Sequence, residues 1–126
     1  MKNYIIILLL FVGTLNTTAQ TKEVEITIES VSKKWEFSDL INPKFTKEKY
    51  EETKEMLEST MIEFRKDMTF TFSFIVDLEG TWSLSQNVIT TTDRRGKNTW
   101  TIHNISSNEI IMSRNDTEQK LIFKSE

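Results

Sequence analysis

Apolar and polar residues alternate along most of this chain in short runs. Phe70, Phe72 and Phe74 are separated by small hydroxyl residues, and Trp82 and Leu84 continue the same rhythm further along. A period of two is typical of a strand with one buried and one solvated face. Short runs of this kind recur to the C-terminal end, and their spacing predicts roughly eight or nine strands.

The first of these runs lies near the start of the chain. Val24, Ile26 and Ile28 alternate with acidic residues and a threonine. This pattern predicts a first strand over residues 23–29, with one face toward solvent.

One segment has helical periodicity. Thr46 is a suitable N-cap, and residues 47–58 are rich in good helix formers. The apolar side chains of Tyr50, Leu57 and Met61 lie near one face, with Met56 beside them. The sequence therefore predicts one amphipathic helix near residues 46–60, which lies against the sheet or closes one end of a barrel.

Short polar turns separate the remaining runs. The predicted turns are residues 65–68, 77–80, 86–87, 93–98, 106–108 and 115–116. In this interpretation Gly80 ends a turn and begins the Trp82 strand. Short connections favour an antiparallel meander, and closure of that meander would remove its exposed edges. We therefore expect a mostly β protein, a small antiparallel up-and-down β-barrel.

A known family shares several of these runs. The stretch Gly80–Leu84, followed by apolar strands at 88–90, 100–102 and 110–112, resembles the bacterial lipocalin-like domain family. Two upstream segments are similar as well, namely residues 34–37 to its first tryptophan strand and residues 64–70 to its central hairpin. Met68 departs from the pattern, because a glycine would be usual there.

The resemblance extends from about Val31 to Phe123. It implies an exported, lipocalin-like small β-barrel with an apolar molecule as its candidate ligand. The family contributes no catalytic residues to this chain.

The first residues have the features of a secretory signal peptide. Lys2 precedes the apolar run Ile5–Val12, and small residues precede a cleavage point after Ala19. We therefore predict a signal peptide at residues 1–19 and a barrel domain at residues 20–126.

The apolar run is shorter than the ~20 residues of a membrane-spanning helix, which disfavours the rival interpretation as an uncleaved anchor. The chain has no cysteine, which excludes a lipidated cysteine and disulfides. The predicted location is the periplasm or the extracellular space, in soluble form and without a stable membrane span after cleavage.

The charge balance argues against nucleic acid as a partner. Sixteen basic and nineteen acidic residues give a formal net charge of −3. A nucleic-acid surface requires a basic face, which this composition does not favour.

Catalytic and metal-binding patterns are also lacking in the sequence. His103 is the only histidine, whereas a zinc site or a catalytic triad needs several ligands or partners. The helical carboxylates and the Arg94–Lys97 turn are most simply solvated surface. We expect no enzyme activity, no cofactor and no metal.

Large aromatic side chains are the candidate for function. Those able to face the barrel interior are Trp35, Phe37, Phe64, Phe70, Phe72, Phe74, Trp82 and Trp100. An eight-stranded barrel is just wide enough for side chains to fill it or for one small ligand. The same residues therefore support two hypotheses: a binding module for a small apolar molecule, and a structural or protein-interaction module of the cell envelope with a filled interior.

Overall fold

A computed structural model describes residues 23–125 of this chain. The predicted signal peptide at residues 1–19 lies outside the described residues, and so do the first three residues of the predicted domain. Two helices and eight strands follow one another along the described part. Their bounds are α1 Ile28–Val31, β1 Lys34–Ile41, α2 Lys47–Leu57, β2 Met61–Phe64, β3 Thr69–Phe74, β4 Val76–Ser85, β5 Val88–Asp93, β6 Gly96–Ile105, β7 Glu109–Arg114 and β8 Lys120–Lys124.

The eight strands form a closed antiparallel barrel in sequence order. Each strand pairs with the next, and β1 closes the barrel by pairing with both β2 and β8. Trp35 lies opposite Ile62 on one side, and Phe37 lies opposite Phe123 on the other. The predicted fold class, an up-and-down β-barrel of about eight strands with one substantial helix, is confirmed.

The period of two places apolar side chains inside this barrel. The buried apolar residues are Val31, Trp35, Leu40, Ile62, Phe64, Phe70, Phe72, Leu78, Trp82, Ile89, Trp100, Ile102, Ile105, Ile110, Met112, Leu121 and Phe123. Burial of this set at roughly 25 cal/mol per Å² of apolar surface is the main driving force for the fold.

Gly80 does not lie in a turn, so that prediction is wrong. Strand β4 runs without interruption through Gly80, which is opposite Phe70. A Cβ at Gly80 would lie 1.9 Å from the backbone oxygen of Thr92 and 3.0 Å from the Phe70 ring. The glycine therefore permits close packing within the barrel wall. The chain reverses instead at Ile75, which has a φ of 62°.

The turns predicted at residues 65–68, 86–87, 106–108 and 115–116 lie between strands as expected. The turn predicted at residues 93–98 is shorter than expected, because β5 ends at Asp93 and β6 begins at Gly96. Met68 has a φ of 71° and takes the place of a hairpin glycine. Positive φ angles also occur at Gln86, Gly96, Asn115 and Asp116. Gly, Asn and Asp enter this region most readily, so the sequence indicated most of these positions.

The predicted strand at residues 23–29 is wrong. This segment makes a single β-bridge, from Glu23 to Ser106, and then enters α1. Thr27 and Ser30 form a capping box that starts the helix, with hydrogen bonds of 3.0 and 2.9 Å. Both edges of β1 are already paired, so the closed barrel has no edge on which a ninth strand could add.

Helix α2 begins as predicted. Thr46 is its N-cap and accepts a hydrogen bond of 3.1 Å from the Lys49 amide. Tyr50 and Leu57 pack against the core as expected, and Thr53 is buried between them. Met56, expected beside this face, is 62% exposed.

The strand directions give the barrel two distinct ends. The α1 end carries α1 and the turns at residues 65–68, 86–87 and 106–108, whereas the α2 end carries α2 and the turns after β3, β5 and β7. Within residues 23–125, neither helix is long and apolar enough to cross a membrane.

Candidate ligand-binding site

Side chains fill the α1 end of the barrel. Trp35 and Trp82 are both buried, and their indole N–H groups donate to the carbonyls of Val31 at 3.0 Å and Arg65 at 2.9 Å. The Phe64 ring lies 5.1 Å from the Trp82 ring, centroid to centroid. Paired indole donors and close rings are typical of a packed core.

A second group of rings runs from the middle of the barrel to the α2 end. Trp100 lies between Phe123 and Phe72, with edge-to-face contacts at centroid distances of 6.3 and 5.9 Å. The Phe37 ring contacts the Phe123 ring at a centroid distance of 6.2 Å, and the Phe74 ring contacts the Phe72 ring at 6.5 Å. The last rings of this series reach the mouth of the barrel.

A cavity of about 330 Å³ lies at the α2 end. It is bounded by the last turn of α2 and the ends of β3 and β7. Its lining comprises Leu57, Thr60, Phe72, Phe74, Trp100, Arg114, Asn115, Thr117, Gln119 and Leu121. The volume is at the lower end of the range for small-molecule sites, and such sites are typically apolar with a few polar groups.

Arg114 is the one charged side chain of that lining. Its guanidinium carbon lies 5.3 Å from the Phe72 ring centroid and 5.6 Å from that of Trp100. Contacts of this kind between a cation and a ring face are attractive. Burial lowers the pKa of the guanidinium, and the charge of Asp93 opposes this shift. Arginine nevertheless remains protonated in proteins, so the cavity contains a positive charge.

Two polar atoms beside the cavity are buried and unpaired. They are Nε of Arg114 and Oγ1 of Thr60, neither of which has a hydrogen-bond partner among residues 23–125. The backbone of Thr60 is held firmly, since its amide donates to Leu57 at 2.9 Å and its carbonyl accepts from Phe37 at 2.9 Å. Most buried polar atoms in proteins are paired, so these two call for an explanation.

The structure separates the aromatic candidates from the sequence into two groups. Phe72, Phe74 and Trp100 line the cavity. Five others lie elsewhere in the barrel: Trp35, Phe37, Phe64, Phe70 and Trp82. Contact of any of them with a ligand stays a prediction.

Sequence reasoning missed Arg114 and Thr60, although a signal was present. Arg114 has the same parity along β7 as the inward residues Ile110 and Met112. Thr60 has the same parity as Ile62, directly before β2. A charged residue at an inward position of a barrel strand is unusual enough to mark a site.

A larger depression of about 830 Å³ lies near the start of β1 and the end of β8. Its lining is Lys33, Lys34, Glu36, Phe37, Ser38, Lys124 and Ser125. These side chains are mostly charged or hydroxylated. The smaller cavity is the better candidate for an apolar ligand, because its lining is largely apolar.

His103 has a partner that the sequence did not indicate. Its Nε2 lies 2.8 Å from Oγ of Ser113. Ser113 is 3% exposed, and no carboxylate among the described residues is bonded to the histidine. The pair therefore lacks the accessible nucleophile and the orienting acid of a catalytic triad.

Comparison with known proteins supports the fold. No protein-family model and no curated protein matches the sequence. A lipocalin-like protein from Bacteroides uniformis has a similar structure, with a TM-score of 0.59 and 17% identity over 77% of this chain and 99% of the other.

Two further structures are similar. An uncharacterized protein from Bacteroides eggerthii has a TM-score of 0.55 and 10% identity, over 76% of this chain and 99% of its own. A DUF4847 family protein from Bacteroides vulgatus has a TM-score of 0.54 and 15% identity, over 75% of this chain and 92% of its own. The resemblance to lipocalin-like proteins is thus confirmed for the fold.

Proposed function

We propose that this protein is an exported, non-enzymatic lipocalin-like module that binds one small apolar molecule at the α2 end of its barrel. The observation that supports this most is the cavity of about 330 Å³, lined by Phe72, Phe74 and Trp100. The packed rings at the α1 end support a ligand position at the α2 end of the barrel. A clear hydrolytic turnover, lost on replacing one carboxylate, would contradict the non-enzymatic part.

Native mass spectrometry of protein purified from its own host tests the binding proposal. We expect a retained small molecule that organic extraction removes. Leu57 lines the cavity, so Leu57→Trp should fill it and abolish retention. Met56→Trp is the matched control, because the neighbouring side chain is 62% exposed. Equal retention by both variants would place the ligand elsewhere and refute this site.

Export can be tested separately. The signal-peptide pattern at residues 1–19 supports secretion with cleavage after Ala19. N-terminal sequencing of the protein from periplasmic and culture fractions should begin at Gln20. Full-length protein retained in the cell would contradict this part of the proposal.

A structural or protein-interaction module is the second candidate function. The packed α1 end favours it, and so does the apolar tip of the β3–β4 hairpin, where Ile75 is 92% and Val76 46% exposed. Exposed apolar residues of this kind can contact a partner. A protein that is monomeric, copurifies with a small molecule and keeps both properties in the variant Ile75→Asn would contradict this candidate.

A further inference from the structure

We propose that the ligand of the α2-end cavity is an amphiphile with one anionic head group, and that Arg114 is the residue that binds this head. This inference rests on the proposed binding function and adds the chemical class of the ligand. It depends on the position, contacts and missing partners of Arg114.

Arg114 carries its charge in mainly apolar surroundings. Its guanidinium packs on the rings of Phe72 and Trp100 within an apolar lining. The ion pairs within the described chain involve other residues, and none includes Arg114. A half-buried cation without a counter-ion is costly, and ring contacts offset only part of that cost.

The carboxylate of Asp93 is not an ion-pair partner of Arg114. Asp93 acts on the guanidinium through its charge but forms no ion pair with it. Its Oδ1 instead accepts a hydrogen bond of 2.7 Å from the Arg95 amide in the β5–β6 turn. The fork of donors on Arg114 is therefore available to an acceptor inside the cavity.

Two buried polar atoms of the lining have no hydrogen-bond partner within the described chain. Nε of Arg114 donates only, and the hydroxyl of Thr60 both donates and accepts. A carboxylate or phosphate accepts from the guanidinium donors and balances the charge of Arg114, whereas an apolar molecule would leave this cation without a counter-ion. The rest of the lining is apolar enough to enclose a hydrocarbon body. An anionic head on an apolar chain satisfies both parts of the cavity.

Calorimetric titration of the purified protein with decanoate, decyl phosphate and decanol tests the inference. These probes share an apolar chain and differ in the head. We expect at least one anion to bind about tenfold to hundredfold more tightly than decanol, as a charge-assisted hydrogen bond would provide. The tighter anion identifies the head group as carboxylate or phosphate.

Three variants assign the effect to Arg114. Arg114→Met keeps an apolar stem and should bring the anion affinity down to that of decanol. Arg114→Lys keeps the charge without the fork and should recover part of the difference. Arg95→Gln removes a similar charge from an exposed turn and should change nothing. Circular dichroism and thermal melting confirm that each variant is folded.

The possible outcomes separate this inference from the proposed function. Equal affinity for anions and decanol in the wild type, with Leu57→Trp blocking both, would overturn the anionic head and leave the binding function standing. Absence of binding by every probe would overturn both. Anion preference that survives Arg114→Met would show that another residue binds the head and refute the role of Arg114.

Discussion

Ile75 has a backbone conformation that β-branched residues rarely adopt. Its φ is 62°, and its side chain is 92% exposed at the tip of the β3–β4 hairpin. A left-handed conformation at a residue other than glycine costs on the order of 1–3 kcal/mol. The side chain does little packing to offset that cost, so strain is concentrated at this position.

Replacement of this residue should stabilise the protein. Ile75→Asn should raise the free energy of unfolding by about 1 kcal/mol, because asparagine tolerates positive φ. Val76→Asn is the control. Val76 lies in the extended strand β4, so this substitution should not raise the free energy of unfolding. Urea denaturation of both variants measures the effect. A loss of stability in Ile75→Asn would mean that the isoleucine side chain has contacts of its own.

Substitution of Gly80 should have the opposite effect on stability. Gly80→Val should lower the free energy of unfolding by about 1–3 kcal/mol or more, as overpacking does. The physical reason is the 1.9 Å between an added Cβ and the Thr92 oxygen, a backbone atom that the β4–β5 ladder holds in place. Thr81→Val, at the next and exposed position, should be close to neutral in the same denaturation experiment. A stable Gly80→Val would show that the wall at β5 can move.

At the scale of elements, α2 is attached to the barrel by a small polar cluster. The Tyr50 hydroxyl donates to Oδ1 of Asp39 at 2.6 Å, and Nζ of Lys54 lies 3.8 Å from the same oxygen. This hydrogen bond is the main cause of a lowered Asp39 pKa, and it also raises the pKa of Tyr50. The α2 contacts therefore depend on pH in both directions.

The sign of each dependence follows from linkage. The lowered pKa of Asp39 gives a contribution that is present above its ordinary value of 3.8 and is lost as the pH falls through the lowered pKa. The raised pKa of Tyr50 gives a contribution that is present below its ordinary value of 10.0 and is lost as the pH rises through the raised pKa.

Tyr50→Phe tests this cluster. The difference in unfolding free energy between wild type and variant should be largest at neutral pH and should shrink toward both extremes. Tyr4, the other tyrosine of the chain, belongs to the predicted signal peptide. In protein that begins at Gln20, tyrosine titration should therefore disappear in the variant, which assigns the high-pH change to Tyr50. A difference that is constant across pH would mean that ring packing, and not the hydrogen bond, attaches α2.

The segment at residues 23–29 is an element that its local pattern does not predict correctly. The alternation of Val24, Ile26 and Ile28 is the pattern of a strand, yet this segment enters α1. Local capping by Thr27 competes with strand pairing, and a strand also needs a free partner edge. Pairing of β1 with β8 occupies that edge. The pattern of residues 23–29 gives no information about this pairing, because the two strands are far apart in sequence.

For the whole molecule, closure makes stability a shared property of distant strands. Phe123 on β8 is fully buried, pairs with Phe37 on β1 and contacts Trp100 on β6. It therefore lies at the seam where the last strand meets the first. Barrels of this kind depend on contacts between residues far apart in sequence, which favours folding in milliseconds to seconds.

Truncation at the seam should have a large effect. Phe123→Ala should lower the free energy of unfolding by about 3–5 kcal/mol through lost burial and the remaining void. Ile122→Ala, on the opposite face of the same strand, should cost clearly less. Guanidinium denaturation followed by tryptophan fluorescence measures both in one cooperative transition. Similar losses in the two variants would show that the two faces of β8 contribute alike.

The sequence by itself determined the strand periodicity, most turns, the start of α2 and the barrel class. The periodicity, the turns and the start of α2 follow from interactions between residues near one another in the chain, such as the N-cap at Thr46 or positive φ at Asn115. The barrel class follows from the number of short strands and the exposed edges that an open meander would leave. Even the inward parity of Arg114 can be read from Ile110 and Met112.

Only the tertiary structure decided which aromatic residues line a cavity and which ones fill the core. Trp82 and Trp100 have the same local pattern, but Trp82 packs on Phe64 at the α1 end and Trp100 faces the cavity with Arg114. Likewise, Gly80 is compatible with a turn and with a crowded strand until Thr92 and Phe70 come beside it. Free space and crowding arise where strands distant in sequence meet, so they are set by closure of the barrel and not by local periodicity.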